Sequence, residues 1–384
     1  MSHETYRVTI LTPTLVGDGQ RLSPIDYMVW KDHVNVLDQR RIFRLLSKGP
    51  RLESYLTQLK KADKLDFASW GGFAQNFAGR RIPFEHPSST AYWEGAQSEN
   101  LFIPTFAAGV HGAYLPASAL KGAIRTAVVS GALTGEQLQQ GAERAASEGR
   151  VTRQVTQALE DSVLGSGGSS AMRLLSAGDS KPVAESAFKI YLLRVSALQA
   201  KGAQTYELGW KQASRGNARR PEEGTPLFVE MATPGTVFEG HWRRYQAASH
   251  ARSRQGVRDV WSAANTYAER LLTIQSQYSD WAGLPALKGT VEQLQQRLAE
   301  IRESRRGCML VLGWGGGFLS KAAYLDANNE SFRQLLKQVP FYSRAIQTGL
   351  PFPKTRKIIF LQNQPAALPG FVHLESGQSD TSQG

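Results

Sequence analysis

The apolar residues of this chain change their spacing from one segment to the next, and no spacing recurs with a fixed period. That excludes a solenoid and points to strands and helices in irregular alternation, an α+β fold carrying insertions. Tyr6–Val16 alternates β-branched and polar residues, which predicts a strand broken at Gly17–Gly19. Met28–Leu37 predicts two short strands turning at Asp32 and His33. Over Arg40–Leu59 the residues Ile42, Leu45, Leu46, Leu52, Tyr55, Leu56 and Leu59 fall three or four apart, so helices are expected on both sides of Gly49 and Pro50. Residues 60–95 are mixed and aromatic and give no assignment. Leu101–Phe106 reads as a short or edge strand, because Pro104 cannot donate to a ladder.

The next segment carries the clearest helical signal. Leu120, Ile124 and Val128 recur every four residues, so Ser118–Val129 is expected to be a helix with Ser118 as its cap and Lys121 and Arg125 on one exposed stripe. A polar helical insertion over 134–164 ends in the Gly/Ser-rich break 165–170. Strand patterns return at Phe188–Leu198, Pro226–Met231 and Thr236–Tyr245, with a basic loop or hairpin tip, Lys211–Glu223, between the first two. Residues 246–304 read as a helical hairpin. Val257, Val260, Trp261, Ala264, Ala268 and Leu271 share one face, Val291, Leu294, Leu298 and Ile301 another, and the break falls at Trp281–Gly289. Met309–Leu312, Ile358–Leu361 and Phe371–Leu374 are expected strands, and Ser376–Gly384 a loose tail.

Charge narrows the partner. Lys and Arg exceed Asp and Glu by 12 over 384 residues, which favours a polyanion, nucleic acid first. Residues 331–360 hold Arg333, Lys337, Arg344, Lys354, Arg356 and Lys357 and no acid, half of the net excess. The plainer reading of such a stretch is a solvated basic face. The longest apolar stretch, near Leu101–Val110, is too short to span a membrane, and Met1–Tyr6 is too polar for a secretory signal, so a cytoplasmic protein without membrane contact is expected.

Catalytic and metal chemistry find little support. Cys308 is the sole cysteine, and the seven histidines form no pair at three- or four-residue spacing, so neither a multi-cysteine zinc site nor any other metal site is expected. No Gly-x-Ser-x-Gly elbow frames a nucleophile. Asp18, Asp26 and Asp179 have the setting of turn or cap residues. Trp70, Phe73, Phe77, Tyr92 and Trp93 have the chemistry to stack on bases, or to fill a core. The strongest local signal is Gly313–Gly317, four glycines in five positions followed by Lys321. Such a run exposes backbone N–H groups and allows close approach of a phosphate, or serves a turn that needs positive φ. Its spacing fits neither a Walker loop nor a dinucleotide fingerprint, and no cofactor is expected. Ser118, Lys121 and Arg125 at a helix start are a second candidate anion site, and an ordinary surface helix is the alternative.

Four segments, in order, carry a resemblance: Thr12 and Pro13 with Gly17–Gly19 and Ser23–Tyr27, then Leu115–Arg125, then Ala177–Ser180, and last Gly313–Lys321. Together they resemble the RAMP superfamily of CRISPR proteins. The Ser23–Tyr27 element, the late helical hairpin and the Gly313–Phe318 loop are most similar to the fifth-subunit, or head, family of type III-A (Csm) effector complexes; Ala117 stands where the family more usually has glycine.

The resemblance implies one RAMP domain over 1–384. Its core would be ferredoxin-like (RRM-like), of the backbone-subunit type, with helical insertions at about 40–95, 134–170 and 246–304. It implies a non-catalytic subunit that binds guide RNA (crRNA) and target RNA and contacts the backbone and small subunits. Such a subunit caps the backbone filament near the 3′ end of the guide and supports its maturation. The candidate RNA-binding residues are then Ser118, Lys121 and Arg125; Gly315, Gly316, Gly317 and Lys321; Arg215, Arg219 and Arg220; and Lys354, Arg356 and Lys357. Two alternatives stand beside this reading. One is a RAMP endoribonuclease that cuts repeat RNA with His33 or His111 as general acid or base. The other is the corresponding subunit of a type III-B complex.

Overall fold

Tyr6, Val8 and Ile10 alternate with more exposed neighbours and are buried to 1% exposure or less, because the strand that carries them, Ser2–Ile10, runs through the middle of a sheet. In the computed structural model, which describes residues 2–47, 51–61, 76–202, 205–214, 216–245 and 259–376, this first sheet has five strands. Their order is Gly307–Val311, Phe371–Ser376, Ser2–Ile10, Val237–Arg244, Leu175–Ala177, and every neighbouring pair is antiparallel. Val8 sits opposite Phe238 on one side and Leu374 on the other. The strand stops at Ile10 rather than running on to Val16: the N–H groups of Leu11 and Thr12 both turn to the Phe371 carbonyl, and Pro13 has none to offer. Thr14 and Leu15 keep only single bridges, to Ala232 and Trp314.

Three helices pack against this sheet. Ala117–Ala132 buries Leu120, Ile124 and Val128, the residues whose spacing predicts it. Val260–Ala282 and Pro285–Ser304 form the expected hairpin. The break is tighter than the sequence implies: Trp281 stays in the first helix, Gly283 (φ 62°) turns the chain in the left-handed region, and Pro285 opens the second helix. Val257 lies outside the described residues.

The second sheet is built on the long strand Phe188–Gly202, which pairs with Thr205–Lys211, Leu227–Ala232 and Thr355–Leu361. Thr205–Lys211 is a strand the sequence reading passes over, although Tyr206, Leu208 and Trp210 alternate in it. A three-stranded sheet, Tyr27–Trp30, His33–Leu37 and Ala78–Pro83, joins helices Gln39–Leu46 and Arg51–Lys61 around a small core of Met28, Leu37, Ile42, Leu46 and Tyr55. Gly49, Pro50 and residues 62–75 lie outside the described residues. The polar helices Gly135–Ser147 and Arg153–Leu164 pack through Leu138, Ala142 and Val155 onto Phe332, Leu335 and Ile346. Those partners belong to two short helices, Glu330–Lys337 and Pro340–Gln347, so much of the acid-free stretch is amphipathic helix with an apolar side turned inward. Among the described residues, no helix is long and apolar enough to cross a membrane.

One buried histidine gives the fold a pH dependence. His373 is 8% exposed in the strand Phe371–Ser376, its Nε2 has no hydrogen-bond partner among the described residues, and burial lowers its pKa below 6.5. Below pH 6.5 the unfolded chain gains a proton there that the folded chain resists, so this contribution is present above that value and is lost as the pH falls toward the depressed folded value. Urea melts at stepped pH should show stability declining through that window, and His373→Gln should flatten the decline.

Candidate nucleic-acid interface

The four segments that carry the resemblance meet in space. Trp314 N–H donates to the Leu15 carbonyl at 2.8 Å, and Ala107 N–H to that of Val16 at 2.9 Å. At the start of helix Ala117–Ala132, Leu115 N–H donates to Ser180 Oγ at 2.9 Å and Ala117 N–H to Asp179 Oδ1 at 2.7 Å. Between them lies an open groove of about 630 Å³, lined by Gly17, Gly19, Gln20, Ser118, Gly122, Trp314 and Lys321 among others.

The helix start differs from the expectation in three ways. Its cap is a carboxylate from far along the chain, Asp179, and Ser118 sits exposed inside the first turn instead of capping it. A carboxylate on the first free N–H takes the favourable place that a phosphate would have occupied. The groove is lined by the small stripe Ser118, Ala119, Gly122, Ala123 and Thr126, while Lys121 and Arg125 lie beside it. Arg125 is ion-paired to Glu160, and Lys121 is partly buried, which lowers its pKa.

The glycine loop is shaped mainly by the chain itself. Gly313 has φ 74°, and a Cβ there would land on the Leu15 carbonyl oxygen. A Cβ on Gly315 (φ 102°) would meet the Pro369 ring at 2.5 Å, and one on Gly316 would meet Ser320 Oγ at 2.5 Å. The directions in which Gly315 and Gly316 lack a side chain therefore face Pro369 and Ser320, a correction to the expected close approach of a phosphate there. Gly317 (φ 67°) has open space around it.

On the other side of the loop, Gly315–Gly317 form part of a second cavity of about 270 Å³, together with Lys211, Lys354, Lys357 and Phe341. Lys357 Nζ lies 4.7 Å from the Trp314 ring centroid. Burial, then the neighbouring charges of Lys321 and Lys211, lower the Lys357 pKa below the ordinary lysine value. Among the described residues, none of these three lysines is ion-paired with an acid. Lys357 thus lies against Trp314 with Lys321 on the first groove and Lys211 on the second, three cations whose mutual repulsion an anion would relieve.

The other basic candidates separate. Arg356 is a core residue: Nε donates to Gln275 Oε1 at 2.6 Å, Nη1 to the Pro353 and Thr355 carbonyls at 2.7 and 2.9 Å, and the guanidinium lies on the Tyr278 ring. Its burial lowers its pKa to about 10. Arg219 is exposed and 3.7 Å from Glu207, and Arg220 is paired with Glu223; Arg215 lies outside the described residues. Trp93 is buried, donating to the Tyr27 hydroxyl, and Tyr92 covers Arg194. Trp70 and Phe73 lie outside the described residues. Neither His33, hydrogen-bonded to Asp32, nor the exposed His111 lines either groove. Phe341, 84% exposed at the rim of the second cavity, is a residue the sequence reading misses; its signal is an aromatic after Pro340 inside the acid-free stretch.

No family model matches the sequence, and no curated protein matches it. Solved structures do. One is a chain of a Csm–crRNA–target RNA ternary complex from a type III-A CRISPR-Cas system, with a TM-score of 0.63 and 20% identity over 98% of this chain and 100% of that one. Another is T. onnurineus Csm5, with a TM-score of 0.57 and 16% identity over 95% of this chain and 99% of that one. The chain thus has, over nearly its whole length, the mixed helix-and-sheet fold of Csm5 and of a Csm-complex subunit.

Proposed function

We propose that this chain is a guide-RNA-binding structural subunit of a type III-A CRISPR effector complex. The observation that carries the proposal is the cluster of Lys211, Lys321 and Lys357 beside the glycine loop, without an acid partner among the described residues, in a fold shared over nearly the whole chain with Csm5. In this reading guide RNA and target RNA are the polyanions, and the backbone and small Csm subunits are the protein partners. The chain caps the backbone filament near the 3′ end of the guide, supports maturation of the guide and does no chemistry on it. A ferredoxin-like core is part of the reading. With the intervening elements and the edge strand Gly307–Val311 set aside, Ser2–Ile10, helix Ala117–Ala132, Leu175–Ala177, Val237–Arg244, the helical pair and Phe371–Ser376 follow the order strand, helix, strand, strand, helix, strand, and the four strands lie side by side, antiparallel, as the last, first, third and second.

Binding is then electrostatic and tolerant of sequence. If about four phosphates are neutralised, log affinity should fall against log salt with a slope of roughly −3, at about −0.7 per single-strand phosphate. A salt titration of labelled guide RNA measures it, and a flat response would overturn the proposal. Specific cuts in repeat RNA incubated with the protein in chelator would favour a RAMP endoribonuclease instead.

A further inference from the structure

We infer that the cavity beside the glycine loop takes one unstacked base of a single-stranded RNA, stacked on Phe341, with the adjoining phosphate on Lys211 and Lys357. The inference rests on the RNA-binding reading and adds to it the form of RNA and the place of a base.

Strand register sets the cations. Lys357 is opposite Val195, and Trp210, the residue before Lys211, is opposite Ser196 on the other edge of the same strand. Lys211 and Lys357 therefore flank Val195 in one row on one face, about 10 Å apart at two strand spacings. The aromatic wall is equally fixed. Phe341 is in the first turn of helix Pro340–Gln347 and packs edge to face on Tyr342, 5.3 Å between centroids; Tyr342 is held in turn by Phe318 and Phe352 at 5.2 and 5.4 Å. The Phe341 ring therefore rests its edge on a packed tyrosine while the residue is 84% exposed, leaving its faces open to a stacking partner.

A held, exposed aromatic next to unpaired lysines matches the two parts of a nucleotide, since every base has a face to stack and every phosphate a charge. About 270 Å³ is below the usual range for small-molecule sites and suits one planar base. Duplex RNA keeps its bases stacked and is read by shape, so it cannot use this wall. An acidic peptide would use the lysines and leave Phe341 idle.

The test compares the full chain with its variants on a single-stranded RNA of about 12 nucleotides, on a duplex of equal length, and against an oligoglutamate competitor. Phe341→Leu, which keeps the apolar bulk without the π face, should weaken single-strand binding about tenfold, spare duplex binding and leave the melting temperature unchanged; Phe341→Tyr should restore binding. Lys211→Gln and Lys357→Gln should each make the salt slope shallower by about 0.7. If wild-type chain binds single strands and Phe341→Leu binds them equally well, the base site is wrong and the RNA-binding reading stands. Equal losses on single strand and duplex, or competition by oligoglutamate as strong as by RNA, would likewise overturn the base site. If the wild-type chain binds no RNA, both readings fall.

Discussion

Gly313→Ala should cost the fold more than about 4 kcal/mol, a large share of the net stability of a typical domain. Two costs combine. Gly313 has φ 74°, a conformation that costs an ordinary L-residue roughly 1–2 kcal/mol. In addition the new Cβ would fall on the Leu15 carbonyl oxygen, which already accepts the Trp314 N–H at 2.8 Å and cannot withdraw without losing that bond. This contact joins the end of the Gly307–Val311 strand to the segment that follows the central strand, so the damage reaches the first sheet. Gly317→Ala is the control: at φ 67° with open space it carries the conformational cost alone. Urea denaturation of the two variants separates the contributions. Equal midpoints would mean that the Leu15 segment yields easily and the loop is loosely built. By the same geometry Gly316→Val should lower stability through Ser320 and Val311, and any loss of RNA binding in that variant is then secondary to packing.

The second large effect is expected at Glu230, which has no exposed surface and lies on the strand Leu227–Ala232 of the second sheet. Arg80, from the small three-stranded sheet, binds its carboxylate with both terminal nitrogens, at 3.1 and 2.5 Å. Removing one partner of such a pair strands a buried charge, so Arg80→Ala should cost about 3–5 kcal/mol. The double variant Arg80→Met with Glu230→Leu should recover most of that, because two apolar side chains need no compensation. Burial raises the Glu230 pKa and Arg80 opposes the rise. In Arg80→Ala the opposition is gone, the folded carboxyl holds a proton that the unfolded one releases, and the variant should lose stability as pH rises through the elevated folded value. Denaturation in mildly acidic and mildly alkaline buffer checks the sign. A single variant as stable as the parent would mean that the small sheet is held by its other contacts, among them Glu85 N–H on the Ile190 carbonyl at 2.8 Å.

The resemblance was legible because its segments are short and local. Leu115–Arg125 and Gly313–Lys321 can be read without knowing what they touch, and they come to lie on one groove. The roles of individual residues were not legible in the same way. Arg356 and Lys357 are neighbours in one basic run, yet alternation along the strand Thr355–Leu361 sends Arg356 into the core against Gln275 and Tyr278 and leaves Lys357 beside Trp314. Ser118 has the chemistry of a cap, but Asp179, more than sixty residues away in the chain, reaches the first N–H before it.

Patterns of period two and period four determined the elements themselves: the hairpin at 27–37, the helix whose Leu120, Ile124 and Val128 are buried, the long helical pair, and the strand with Phe188 at its start. These depend on contacts of each segment with one apolar side, which neighbouring residues encode. The charge excess, also written in the sequence, pointed to a polyanion. Only the tertiary structure decided which lysines are gathered beside the glycine loop, which glycines serve the chain's own crossings, and that Phe341 stands exposed over a cavity. Each of those depends on distances between segments far apart in the chain, and a side chain's charge, clash or exposure exists only relative to what the fold places next to it.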